Sequence, residues 1–262
     1  MAKARTRWAR SKCFPIGGWV CAVVILPTVL FGCRGSTEQN VPRYGVQELP
    51  GSFVEGTVQL QGPPPPAKKI QVAQDADVCG KTREVFPVRV ENGGIDDAVV
   101  WIDDIQRGKA FSFPPAQLDQ QECTFLPHIV IMRGGNVNIT SRDPIPHSVH
   151  THAQHNRDYD ETTSSLQGEI FLSFQDPDVI SVRCDLHGWM QAYVVVAKNP
   201  YYAITANGGK FKLDEVPNGH YRLKVWSENL GESEQEIVVE EGKPTKADFT
   251  LKSQAGQASG AD

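Results

Sequence analysis

The sequence predicts an all-β protein assembled as β-sandwiches. Short runs rich in β-branched and aromatic residues recur along it: Phe53 to Leu60, Val85 to Val90, Ala98 to Ile102, His128 to Met132, Asn136 to Ile139, Glu169 to Phe174 and Ile180 to Cys184. Gly, Pro, Asn and Asp separate these runs and supply turn chemistry. No convincing helical periodicity appears beyond the first 32 residues. Many short strands joined by such turns point to a sandwich or barrel. The roughly 230 residues after the leader allow two small domains.

Residues 1–12 carry Lys3, Arg5, Arg7, Arg10 and Lys12 and no acid, and Pro15 to Phe31 is almost wholly apolar. This order is that of a secretory leader. It ends in Leu30-Phe31-Gly32-Cys33, which resembles a bacterial lipobox. The resemblance implies cleavage before Cys33 and lipidation of that residue. The alternative is an uncleaved membrane anchor, but the run falls short of the roughly 20 residues that a spanning helix needs, and it contains Gly17, Gly18 and Pro27. Either reading exports the remainder to the periplasmic side of the cell envelope. Arg34, rather than aspartate, follows Cys33, which leaves the outer membrane open as the destination.

The chain has 26 basic and 31 acidic residues, and five of the bases precede Cys33. The exported part is therefore acidic by ten charges, which excludes a nucleic-acid binder and favours a basic partner. Thr37 to Gly51 is polar, with Pro42 and Pro50, and reads as a tether. Pro63 to Pro66 reads as a stiff connector.

Val179 to Ala197 carries the chemistry. An alternating strand puts Ile180, Val182 and Cys184 on one face and Ser181 and Arg183 on the other. His187 and Met190 follow Cys184 at three-residue steps before a second apolar strand begins at Ala192. Thiolate and thioether are soft ligands that select copper, and imidazole suits copper or zinc. One further imidazole completes a two-histidine, one-cysteine set with an axial methionine. Upstream, D-P-I-P-H-S-V-H offers it at His147 or His150.

The C-x-x-H-x-x-M loop, preceded by F-L-P-H-I-V-I-M-R-G-G-N-V-N-I-T-S-R-D-P-I-P-H-S-V-H, resembles the cupredoxins, and most of all the amicyanins, over Cys123 to Ala197. The resemblance implies a Greek-key β-sandwich with one type 1 copper held by His147, Cys184, His187 and Met190. It also implies that His187, beside Gly188 and Trp189, reaches the surface as an electron port. Four protein ligands leave no open position, unlike catalytic metal sites, so no enzyme is expected. No Ser-His-Asp order, phosphate-binding glycine loop or haem C-x-x-C-H occurs.

Cys13 and Cys21 leave with the leader, Cys33 takes lipid and Cys184 takes metal. Cys79 and Cys123 remain, and in an oxidising compartment they are the natural disulfide pair. The alternative is a second metal site using Cys79, Cys123 and His128. Four histidines crowd H-S-V-H-T-H-A-Q-H, where His150, His152 and His155 offer a secondary metal patch. Trp189 reads either as a shield or partner contact for the metal loop or as simple packing. Trp101 and Trp226 read as strand residues, and His220 as a surface one.

After Asn199-Pro200, the pattern G-K-F-K-L…V-P-N-G-H-Y-R-L-K-V-W resembles the carboxypeptidase regulatory-like module, a transthyretin-like (prealbumin) β-sandwich without catalytic groups. The expected division is a leader over 1–32, a tether over 33–51, a copper sandwich over 52–198, this module over 199–252 and a disordered tail over 253–262. The module's opening strands are missing after 199, however, and similar patterns occur in Gly56 to Pro65 and Asp97 to Asp103. This leaves open a second arrangement, in which 52–105 pairs with the module and the copper sandwich is inserted.

The expected function is an exported, membrane-anchored mononuclear copper protein that exchanges electrons with a redox partner such as a cytochrome or oxidase. Copper storage or delivery and a structural interaction role are the alternatives. Zinc is the rival metal.

Overall fold

A computed structural model describes residues 44–253. The leader, Cys33, most of the tether and the tail beyond Ser253 lie outside the described residues. Among those described, the one α-helix is the single turn Ala76–Cys79, and no helix is long and apolar enough to cross a membrane.

The strands form two sandwiches, each with its own core. In the first, one sheet orders Lys210–Pro217, Gly51–Gln61, Gly94–Asp96 and Arg89–Glu91, with Phe249–Lys252 parallel to Gly51–Gln61. The facing sheet orders Tyr202–Ile204, Val99–Ile102, Gly219–Ser227 and Gly231–Val239. Between them lie Val54, Val58, Ile95, Val100, Ile102, Leu213, Leu223 and Val225, all buried. Each such side chain contributes about 1.5–3 kcal/mol on leaving water. Gly56 has no side chain because the backbone of Ala247 crosses there: a Cβ would meet the Ala247 carbonyl oxygen at 1.8 Å.

The second sandwich lies wholly within the first in chain order. One sheet orders Thr124–Leu126, Gln117–Gln121, Gly135–Ser141 and Ile170–Phe174. The other orders Ile129–Arg133, Gln191–Ala197, Asp178–Arg183, His147–His152 and Asp160–Thr163. Leu118, Phe125, Val137, Ile139, Val149, Phe174, Ile180 and Val194 fill its core.

The strand pairing differs from a serial division at 198/199. The strands within 52–105 bond to the C-terminal strands: Val54 lies opposite Leu213, Val58 opposite Phe249, and Trp101 opposite both Tyr202 and Lys224. The physical reason is that the inserted segment leaves after Val99–Ile102 and returns at Tyr202–Ile204, which are adjacent antiparallel strands. Its two ends are therefore close, the geometry at which insertion is tolerated. Asn199 ties the crossing by donating to the Ile102 carbonyl at 2.7 Å and accepting from the Tyr201 N–H at 2.9 Å. The tether is also shorter than expected. Gly45–Val46 pairs with Arg107–Gly108, and the Tyr44 hydroxyl donates to the Lys109 carbonyl at 2.9 Å.

A third apolar cluster, Val99, Trp101, Ile129 and Val195, joins the sandwiches, with Tyr193, Tyr202 and Trp226 packed against it. Trp101 and Trp226 thus serve the junction. At its rim His128 Nε2 lies 3.1 Å from a Glu228 carboxylate oxygen. Burial opposes charging of His128, but the hydrogen bond and charge of Glu228 outweigh it and raise its pKa above the ordinary 6.5. The contribution of this pair is therefore full below the ordinary value and is lost as pH rises through the raised one. Melting curves of wild type and His128→Gln should differ at pH 6 and converge at alkaline pH, by an amount on the order of 1 kcal/mol. A gap that widens with pH contradicts this reading.

Candidate metal centre

His147 opens the strand His147–His152, directly after Pro146. This strand runs antiparallel to Asp178–Arg183 with His150 opposite Arg183, so continuing the register sets His147 beside the loop that begins at Cys184. That loop is closed by two backbone bonds, from the Met190 N–H to the His187 carbonyl at 2.8 Å and from the Cys184 N–H to the Met190 carbonyl at 3.3 Å. The alternation in Ile180, Val182 and Cys184 holds, and all three are buried.

Three donor atoms converge. His147 Nδ1 lies 3.0 Å from His187 Nδ1, and Cys184 Sγ lies 4.0 and 3.7 Å from these two nitrogens. Metal–nitrogen bonds near 2.0–2.1 Å and metal–sulfur bonds near 2.3 Å place such donors roughly 3.3–3.8 Å apart around one ion. The set therefore fits a single metal. Both imidazoles are fully buried, and Cys184 and Met190 are each 2% exposed within the same apolar cluster. Cys184 is the free cysteine among the described residues.

Carboxylates lock both rings. His147 Nε2 lies 2.8 Å from Asp143 Oδ2, and His187 Nε2 lies 3.1 Å from Asp75 Oδ2. Each fixes its imidazole with Nδ1 inward. Asp143 also accepts the N–H groups of Glu122 and Cys123, at 2.7 and 2.8 Å. Those two residues have positive φ, 50° and 55°, and turn the hairpin between Gln117–Gln121 and Thr124–Leu126. Non-glycine residues are uncommon in that conformation, and the Asp143 bonds help hold it.

Burial works against ionisation of Cys184. Hydrogen bonds with His147, the Ser148 N–H and His187 outweigh burial and lower the thiol from 9.0 to about 6. Burial likewise opposes charge on His147, but Cys184 and Asp143 raise its pKa overall. The pair favours thiolate beside imidazolium, ready to exchange a proton for a metal ion.

One expectation is overturned here. His187 does not reach the surface as a port, because its ring is fully buried beneath Asp75. Gln74 adds a second clamp, with Nε2 donating to the Leu186 carbonyl at 2.9 Å. The segment carrying both residues is pinned by the Cys79–Cys123 disulfide, which is present. The alternative of a Cys79, Cys123 and His128 metal site is therefore not formed. Trp189 packs the loop onto the same anchor: its Nε1 donates to the Cys123 carbonyl at 3.0 Å, and its ring lies 5.3 Å from that of His187. The sequence reading missed Asp75 and Asp143 as supporting groups. Asp143 had a signal, four residues before His147 in the same motif.

The secondary histidine patch is also redrawn. His150 and His152 have ring centroids 4.4 Å apart, but His155 turns to Asp178, with Nδ1 3.7 Å from its carboxylate. The carboxylates beside His150 are Asp160 and Asp185.

Residues 189–252 match the family model of the carboxypeptidase regulatory-like domain. No match is found among curated proteins. Among solved structures, a purple cupredoxin from Nitrosopumilus maritimus aligns over 31% of this chain and 99% of its own, at 18% identity and a TM-score of 0.27. Amicyanin from Paracoccus versutus aligns over 32% of this chain and 81% of its own, at 17% identity and a TM-score of 0.26. A copper-containing nitrite reductase from Thermus scotoductus aligns over 34% of this chain at 16% identity and a TM-score of 0.30, and the chain spans only 24% of its length. The strands described above form a β-sandwich that carries the His147, Cys184 and His187 donor set. It is held within a second sandwich whose C-terminal strands fall in the regulatory-like match.

Proposed function

We propose that the protein is an exported, membrane-anchored mononuclear copper protein that carries electrons. The observation supporting this most is the convergence of His147 Nδ1, His187 Nδ1 and Cys184 Sγ in a buried site whose two imidazoles are each held from behind by a carboxylate. Copper held there by His147, Cys184 and His187, with the soft thioether of Met190 buried in the same cluster, would supply one-electron chemistry between Cu(II) and Cu(I). The protein's part is rigidity. Asp143 and Asp75 keep both rings in place whichever charge the site holds, and the apolar cluster excludes water. Anchoring rests on the Leu30-Phe31-Gly32-Cys33 motif, and loss of fatty-acid label in Cys33→Ser checks it.

The burial of His187 favours a second reading, copper holding and delivery, because no imidazole edge of the ligand loop meets water. Cycling separates the two. A carrier loaded with copper bleaches with a cytochrome-like donor and recolours with an acceptor, repeatedly and without losing metal. Copper that is released on reduction, or that never cycles, supports the second reading and rejects the first.

A further inference from the structure

We propose that His150, Asp160 and Asp185, with His152 beside them, form a second, surface site for a borderline divalent transition-metal ion such as Cu²⁺ or Zn²⁺. Three separate elements supply the donors. His150 lies in His147–His152, its direct cross-strand partner Asp160 opens the edge strand Asp160–Thr163, and Asp185 follows Cys184 at the end of Asp178–Arg183. Their ligand atoms all lie within 4.8 Å of one another. His150 Nδ1 is 3.0 and 3.3 Å from the two Asp185 oxygens, close to the roughly 3.4 Å expected of two donors on one tetrahedral ion.

The donors are held in place rather than merely adjacent. The Asp185 N–H donates to Ser148 Oγ at 2.6 Å, which fixes the backbone from which its carboxylate projects. His152, two residues along the strand, shares a face with His150, and its ring packs beside that of His150, with centroids 4.4 Å apart at a 41° tilt.

The donor chemistry sets the ion. Imidazole with carboxylates suits copper(II), zinc and nickel, whereas an all-oxygen shell suits magnesium or calcium. With neither thiolate nor thioether, the site does not favour Cu(I). The buried centre therefore accepts either copper oxidation state, and this surface site only the divalent one.

Titration of the metal-free full chain with Zn²⁺, followed by calorimetry and by histidine ring resonances, tests the assignment. The expected result is a second equivalent that shifts the His150 and His152 rings, spares His155 and is not displaced by Ca²⁺. The variant Asp160→Asn with Asp185→Asn should weaken that equivalent at least about tenfold while the melting temperature and any buried equivalent persist. These resonances report the surface site directly, so the result is independent of whether the buried centre takes metal. Unshifted His150, unchanged binding in the double variant, displacement by Ca²⁺, or shifts centred on His155 would each overturn the proposal.

Discussion

Cys184→Ser abolishes the visible absorption of the copper-loaded protein. The band expected of this site is a thiolate-to-copper charge transfer, and an alcohol is neither soft nor ionised at neutral pH, so the loss should be complete rather than graded. The fold should survive. Serine is close to cysteine in size, and its hydroxyl meets His147 Nδ1, His187 Nδ1 and the Ser148 N–H, which now surround the sulfur at 4.0, 3.7 and 3.3 Å. Far-ultraviolet circular dichroism on the same sample checks this. Met190→Leu is the control of opposite character: it should keep the band and change the potential, because a weakly bound thioether would tune the site rather than create it. A visible band that persists in Cys184→Ser places copper elsewhere.

Removing the disulfide, as Cys79→Ser with Cys123→Ser, destabilises the protein by about 4 kcal/mol in the chain-entropy account. The bridge spans 44 residues, and both sulfurs sit in the inserted sandwich's core, 2% and 0% exposed. The same bridge anchors the short segment that brings Gln74 and Asp75 over the ligand loop. The double variant should therefore also open the outer edge of His187. Asp75→Ala isolates that local part: stability changes little, since Asp75 is partly exposed, but the His187 ring becomes reactive to an imidazole-modifying reagent. Denaturant unfolding and histidine labelling of metal-free protein read the two effects separately. A loss below about 1 kcal/mol in the double variant would contradict the structural role given to the bridge.

The parts of the centre that are local in sequence were legible. Cys184, His187 and Met190 lie in one seven-residue loop, the period-2 pattern before Cys184 set its inward face, and the resemblance to the cupredoxins singled out His147 over His150. Cys79 and Cys123 could be paired because the other cysteines had roles. Long-range pairing was not legible in the same way. Val58 lies opposite Phe249 across nearly the whole described chain, and no local periodicity encodes that register. The motif missing after Asn199 was the one trace of it. Asp75 was invisible for a different reason: it lies 112 residues from His187, in a segment whose sequence resembles any polar turn, and it arrives there through Cys79. His155 was grouped with His150 and His152 because it lies close to them in sequence, whereas the chain turns after Ala153 onto Asp178, which accepts the N–H groups of Gln154 and His155.

The most direct measurement of the central claim is X-ray absorption at the metal edge of the protein purified with its native metal. Copper is expected at one ion per buried site, with one short bond to sulfur, two imidazole nitrogens near 2.0 Å and an edge that shifts reversibly on reduction. A zinc edge in place of copper, or copper with nitrogen and oxygen neighbours and no sulfur, would contradict it.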